Sequence, residues 1–233
     1  MRRPSARLAF PALVLVIATA LCLFAQKKQP MFSPPGVSAA ANINYPIDSV
    51  ASGIVVVAVS LDGAGLVKSK DVLRDIPSLT AHVAASIDTW HFKPATLDGK
   101  AVDSTIVVSV VFNPGDYRLG GAATPVLGKE LKVLSPDAIG FLPPRIVAAS
   151  WAEYPLNSVG QGAVILDALV SSTGHVTQIG PILKIPSLTT ASINAAKNWS
   201  FKPATFNGTP VTASTVVGYV FRLPNIAIPL TQR

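Results

Sequence analysis

The chain of 233 residues has one cysteine, Cys22. It lies in an N-terminal apolar stretch, so the rest of the chain can form neither a disulfide nor a thiolate metal site. Charge is also scarce: Asp, Glu, Lys and Arg make up 13% of the residues against 49% hydrophobic ones, which excludes a disordered polyelectrolyte and a charged coiled coil. Histidine occurs three times, as His82, His91 and His175. No His-Glu-x-x-His, Gly-x-Ser-x-Gly or phosphate-cradling Gly-rich loop is present. His82 and His91 straddle a predicted helix end instead of sharing one face, and Asp62, Asp98 and Asp103 sit in or beside turns, where Asp bonds the local backbone. These gaps lead us to expect no catalytic residue, no metal ligand, no cofactor and no small-molecule substrate. The formal charge of +7 falls to 16 basic against 12 acidic residues once positions 1–25 are set aside, and the remaining Lys and Arg are spread singly without interleaved aromatics. Nucleic acid is therefore not an expected partner.

The N-terminus has the layout of an export signal: a basic stretch with Arg2, Arg3 and Arg7, then Leu8 to Ala25 without a charge. The expectation is cleavage after Ala25 and a periplasmic location. The alternative is an uncleaved single-pass inner-membrane anchor facing the periplasm, since the apolar run reaches the roughly 17–25 residues that span a bilayer, although Pro11 interrupts it.

What is present is a repeat. A shift of 109 positions aligns Phe32–Phe112 with Phe141–Phe221 without a gap, with about 30 of 81 positions identical. The landmarks include Pro34-Pro35 and Pro143-Pro144, Tyr45-Pro46 and Tyr154-Pro155, and Gly65 and Gly174. The longest shared run, Trp-x-Phe-Lys-Pro-Ala-Thr, begins at Trp90 and at Trp199. We divide the chain into a signal or anchor (1–25), a leader (26–44), unit 1 (45–114), a connector (115–140), unit 2 (141–223) and a tail (224–233).

Within each unit, Val/Ile-rich segments at Ile54–Leu61 and Ala163–Val170 read as strands. The turns Asp62–Gly65 and Ser171–Gly174 join them to second strands at about Leu66–Leu73 and His175–Leu183. A helix follows, with Ser as its expected cap. Leu79, Val83, Ile87 and Trp90 share one face in unit 1, and Leu188, Ala191, Ala195 and Trp199 share one face in unit 2; each helix is expected to stop near Lys93 or Lys202, before a proline. Turns at Asp98-Gly99 and Asn207-Gly208 lead to a last strand. The predicted fold is α+β: two tandem β-β-α-β units, each a small antiparallel sheet covered by one helix. Tyr45, Trp90, Phe92, Tyr154, Trp199 and Phe201 are expected in the cores.

The order Tyr-Pro, Gly-x-Val, Gly-containing hairpin, helix and Trp-x-Phe-Lys-Pro-Ala, ending in a β-rich strand, resembles the TonB C-terminal domain family, and does so twice. The resemblance implies a periplasmic protein-binding module that docks on TonB-dependent outer-membrane transporters or other envelope proteins by β-strand augmentation. The matching last strands give the expected peptide-binding edge: Thr105, Ile106, Val107 and Val108 in unit 1, and Thr215, Val216, Val217, Gly218, Tyr219, Val220 and Phe221 in unit 2. Two alternatives accompany this reading. One is a membrane-anchored energy transducer engaging inner-membrane motor proteins. The other is a structural pseudo-dimer whose units consume each other's edges.

Overall fold

A computed structural model describes residues 31–113 and 132–223. The expected signal segment and tail lie outside the described residues, as do the start of the leader and most of the connector. The first half contains β1 (Phe32–Ser33), β2 (Gly36–Ala39), β3 (Gly53–Leu61), β4 (Val67–Arg74), α1 (Pro77–Ile87), β5 (His91–Lys93), β6 (Ala95–Leu97), β7 (Lys100–Val102) and β8 (Ser104–Phe112). The second half repeats them as β9 (Phe141–Leu142), β10 (Arg145–Ala148), β11 (Gly162–Val170), β12 (Val176–Leu183), α2 (Pro186–Ala196), β13 (Ser200–Lys202), β14 (Ala204–Phe206), β15 (Thr209–Val211) and β16 (Ala213–Phe221). The predicted α+β class and the tandem β-β-α-β plan hold, with short extra strands around each helix exit.

The long strands form a single six-stranded sheet in the order β12-β11-β16-β8-β3-β4. Neighbours within each half are antiparallel, whereas β8 and β16 run parallel and join the halves. Alternation along β3 shows why its sequence is apolar without a break from Ile54 to Val59. Val55, Val57 and Val59 pack with Leu79, Val83 and Ile87 of α1, while Ile54, Val56 and Ala58 join the cluster that holds Leu188 and Ala195 of α2. Successive side chains of a strand point to opposite faces, so the helices cover opposite faces of the sheet. The back face of each half is closed by the leader of the other: Val37 and Ile43 pack in the cluster with Ala163 and Ile165, and Ile146 and Ala149 in the cluster with Ile54 and Val56. Asn42 Oδ1 also accepts the Ala163 N–H at 2.8 Å. A third, smaller cluster forms where the two Phe-x-Pro-Pro leaders meet, with Phe32 stacked on Phe206 at 4.6 Å and tilted against Phe141 at 4.9 Å.

The helices are shorter than the spacing predicts. α1 ends at Ile87 and α2 at Ala196, so Trp90 and Trp199 stand in the following turns, and His91–Lys93 and Ser200–Lys202 are strands. The proline that forbids helix at Lys93 and Lys202 is only part of the cause; pairing of β5 with β2 and of β13 with β10 extends the non-helical stretch backwards. Ser78 and Ser187 do not cap. Each helix starts two residues earlier than a serine cap would place it, at Pro77 or Pro186, and the N–H of Ile76 or Ile185 is taken by the hydroxyl of Thr80 or Thr189. In α2 Ser192, whose hydroxyl donates to the Leu188 carbonyl, is buried with Leu188, Ala195 and Ala196, whereas Ala191 lies partly exposed. The hairpin glycines recur for a steric reason. Gly65 and Gly174 have φ of 82° and 86°, and a Cβ at either would fall within 2.6 Å and 2.0 Å of the Phe92 and Phe201 carbonyl oxygens.

Because β16 is paired on both sides, Val217 facing Leu166 and Ser109, proline there strikes the middle of the sheet. Val217→Pro is expected to destabilise both halves in one cooperative transition, by at least the roughly 1–3 kcal/mol of an orphaned buried hydrogen-bond partner. Urea unfolding followed by the fluorescence of Trp90 and of Trp199 in single-tryptophan backgrounds checks this. Unfolding of the second half alone would contradict it.

Candidate functional site: the sheet seam and its margins

The structure places the expected peptide-binding edge in the centre of the sheet. Thr105–Val108 lie in β8 between β3 and β16, and Thr215–Phe221 lie in β16 between β8 and β11. The seam register runs from Val216 opposite Val108 to Val220 opposite Phe112. Val216, Val217, Tyr219 and Val220 are inaccessible to solvent, and the Thr215 hydroxyl donates to the Val107 carbonyl at 3.0 Å across the seam. Gly218 sits where a Cβ would come within 3.0 Å of Ile165 Cδ1. An interior strand has no unpaired row of N–H and C=O groups to offer, so the edge expected at these residues is spent on pairing the halves with each other.

The free margins are β4 and β12, the second strands of the two hairpins. They differ in chemistry. On β4, Lys68 pairs with Asp103 at 2.6 Å, Lys70 with Asp88 at 2.6 Å and Asp71 with Lys132 at 2.8 Å, and the Lys132 N–H donates to the Leu73 carbonyl. Charged side chains and a covering segment are the usual ways of blocking an edge. β12 carries no charged residue over Val176–Leu183. Pro181 faces Leu166 within the ladder; having no N–H to give, it occupies a non-hydrogen-bonded pair, with its main-chain polar side directed away from β11. Two residues back, Ile179 opposite Ala168 shares that orientation, so its N–H and C=O point outward. The difference is legible in the sequence as Val-Lys-Ser-Lys-Asp-Val-Leu-Arg against Val-Thr-Gln-Ile-Gly-Pro-Ile-Leu, once the margins are known to be these strands.

Trp90, Phe92, Trp199 and Phe201 are buried, with ring centroids 6.3 Å and 6.1 Å apart within each Trp-Phe pair. Tyr45 and Tyr154 are partly buried edge-on to Phe112 and Phe221 and pin matching loops: the Tyr45 hydroxyl donates to the Ala51 carbonyl, and the Tyr154 hydroxyl to Gly160 at 2.8 Å. Each loop is tied to the first turn of its helix by a serine pair, Ser49 with Ser78 and Ser158 with Ser187. A tether across the seam has no counterpart in the other half. Arg222, just beyond β16, lies over the Tyr45 ring at 4.8 Å and donates to the Ser49 carbonyl at 3.0 Å, whereas its repeat equivalent is the buried Asn113. Burial raises the Tyr45 hydroxyl above its usual range, and the Arg222 charge opposes that shift. Tyr219, buried beside Trp199 and Ser150, is raised far more by desolvation. Among the described residues no group of three His, Cys, Asp or Glu side chains could hold a metal ion, and no helix is long and apolar enough to cross a membrane.

The family model described as Gram-negative bacterial TonB protein C-terminal matches residues 41–114 and again 158–223. No curated protein and no solved structure matches the chain.

The two tyrosines give a test of the seam by pH. A phenol whose folded pKa is raised holds its proton while the unfolded chain ionises, so its contribution to stability is intact below pH ~10 and falls as pH rises beyond that. An ultraviolet titration should therefore show Tyr219 ionising only as the protein unfolds, in a step that Tyr219→Phe removes. Arg222→Gln should move the Tyr45 titration further upward. A downward or absent shift would remove Arg222 from the Tyr45 ring in solution.

Proposed function

Because the chain belongs to the TonB C-terminal domain family, we propose that it is a protein-binding module of the Gram-negative envelope that takes up an extended segment of a TonB-dependent outer-membrane transporter along β12. The observation that carries this reading is the uncharged margin of Thr177–Gly180, with the Ile179 main chain directed outward, on a sheet whose other margin is blocked by charges. Main-chain hydrogen bonds supply the affinity in strand addition, and the alternating side chains supply the choice of partner. Gly180 and Pro181 limit the added strand to the N-terminal half of β12. The mutual pairing of β8 and β16 favours a second reading, a closed structural pseudo-dimer with no peptide site.

A photocrosslinking residue placed at Gln178, and separately at Ser69 on β4, separates the two readings in intact cell envelopes. Adducts with an outer-membrane transporter from position 178, reduced at least several-fold by Ile179→Pro, are expected. Adducts from position 69 alone would refute docking at β12, and adducts from neither would leave the closed pseudo-dimer.

A further inference from the structure

A second surface is built differently in the two halves. On the back face of the first half, a cleft of about 230 Å³ opens between the sheet and the segment leading into unit 2. Val56, Leu73 and Val107 form its floor, and Lys132, Arg145 and Lys202 stand around it. Lys132 is neutralised by Asp71. Arg145 and Lys202 make no ion pair among the described residues, although they are direct partners in the β10–β13 ladder. Like charges directly opposite each other repel, and here Arg145 Nε is buried with no hydrogen-bond partner.

The other half shows what is missing. Its corresponding ladder pair is Gly36 opposite Lys93, with one cation instead of two. Asp167 on β11 faces the same way as Ile165; burial pushes its carboxyl above the usual range, and the Ser214 hydroxyl and the charge of Lys93 oppose that shift. The repeat equivalent of Asp167 is Ala58, so Lys202 lacks the carboxylate that Lys93 has. The first half thus combines an added cation, a deleted anion, a buried unpartnered guanidinium donor and an apolar floor. We propose that this cleft binds an acidic residue of a partner polypeptide together with a neighbouring aliphatic side chain, the ligand carboxylate taking the place that Asp167 holds in the other half. Arg145 and Lys202 bind the carboxylate through charge-assisted hydrogen bonds, and Val56, Leu73 and Val107 take the aliphatic group. The site lies on a sheet face and does not depend on strand addition at β12.

The test uses the full chain and two peptides carrying a neutral dye, Ser-Leu-Glu-Leu-Ser and its glutamine counterpart Ser-Leu-Gln-Leu-Ser, followed by fluorescence anisotropy. The acidic peptide should bind about tenfold more tightly or better, the range for hydrogen bonds to a charged group. Arg145→Gln and Lys202→Gln should each remove most of that difference while leaving the weak binding of the glutamine peptide unchanged. Ala58→Asp, which supplies an internal carboxylate, should compete with the acidic peptide, but Ala58 is buried, so the two surface variants decide the matter if that one fails to fold. Equal affinity for the two peptides, or indifference to both surface variants, overturns the proposal. So does absence of binding, the result expected if residues 114–131 of the chain itself fill the cleft.

Discussion

Parallel pairing of β8 with β16 decides where every other surface of this protein can lie. Once the two last strands are joined, the sheet has six strands and only β4 and β12 at its margins, and the two helices are forced onto opposite faces because the halves meet with their strands aligned. Each half then exposes a back face that its own helix cannot cover. The leaders solve that problem by crossing over, β2 and the residues after it closing the second half and β10 the first. The cores are consequently mixed, with Val216 and Val220 beside α1, and Ile54 and Val56 in the cluster of α2. A small three-stranded unit with one helix buries too little surface to be robust alone. Here each unit supplies the second layer of the other.

The local plan was readable because each signal for it is local. The glycines at 65 and 174 mark hairpins that need positive φ, Asp98-Gly99 and Asn207-Gly208 adopt the left-handed pair of a two-residue turn, and the Val/Ile runs are strands. The seam was not readable in the same way. A run such as Thr-Ile-Val-Val-Ser-Val-Val-Phe suits an edge strand packed on one side or an interior strand packed on both, and propensity does not record who the neighbour is. One clue was present. The alternation expected of a half-exposed strand is missing from Ile54–Val59 and from Val216–Phe221, and a strand with no polar face has both faces covered. The helix ends were missed for a similar reason, since the pairing of β5 and β13 with the leaders is a long-range contact.

The repeats have exchanged roles at several matched positions, which shows that they are no longer equivalent. The indole N–H of Trp90 is given to Ser86, whereas at the matching site Ala195 has no hydroxyl, and the Trp199 ring instead lies edge-on to Tyr219 at 6.1 Å. Val110 is the equivalent of Tyr219, Ala58 of Asp167 and Asn113 of Arg222. The changes at Tyr219 and Asp167 place a polar group on one side of the seam where the other side is apolar, and at Arg222 a cation stands where the other side has a neutral amide.

Such divergence is a consequence of covalent duplication. In a two-fold homodimer every substitution appears on both sides of the axis, so a margin cannot be blocked in one protomer and left open in the other. With both copies in one chain, the partner half is always present at high effective concentration, and the seam no longer has to be self-complementary. β4 could acquire its lysines and aspartates while β12 stayed uncharged. By the same freedom, one back-face cleft could lose its carboxylate and gain an arginine while the other kept its carboxylate. An exposed strand edge is an aggregation hazard in proportion to its length and flatness, so an asymmetric sheet with one defended margin and one short open window carries half the hazard of a symmetric one. The bulges flanking Leu166 and Leu169 and the proline at 181 keep that window short. Charges block one margin of the sheet and bulges and a proline shorten the other, and the few residues of β12 that remain open are those at which the proposed partner strand would add.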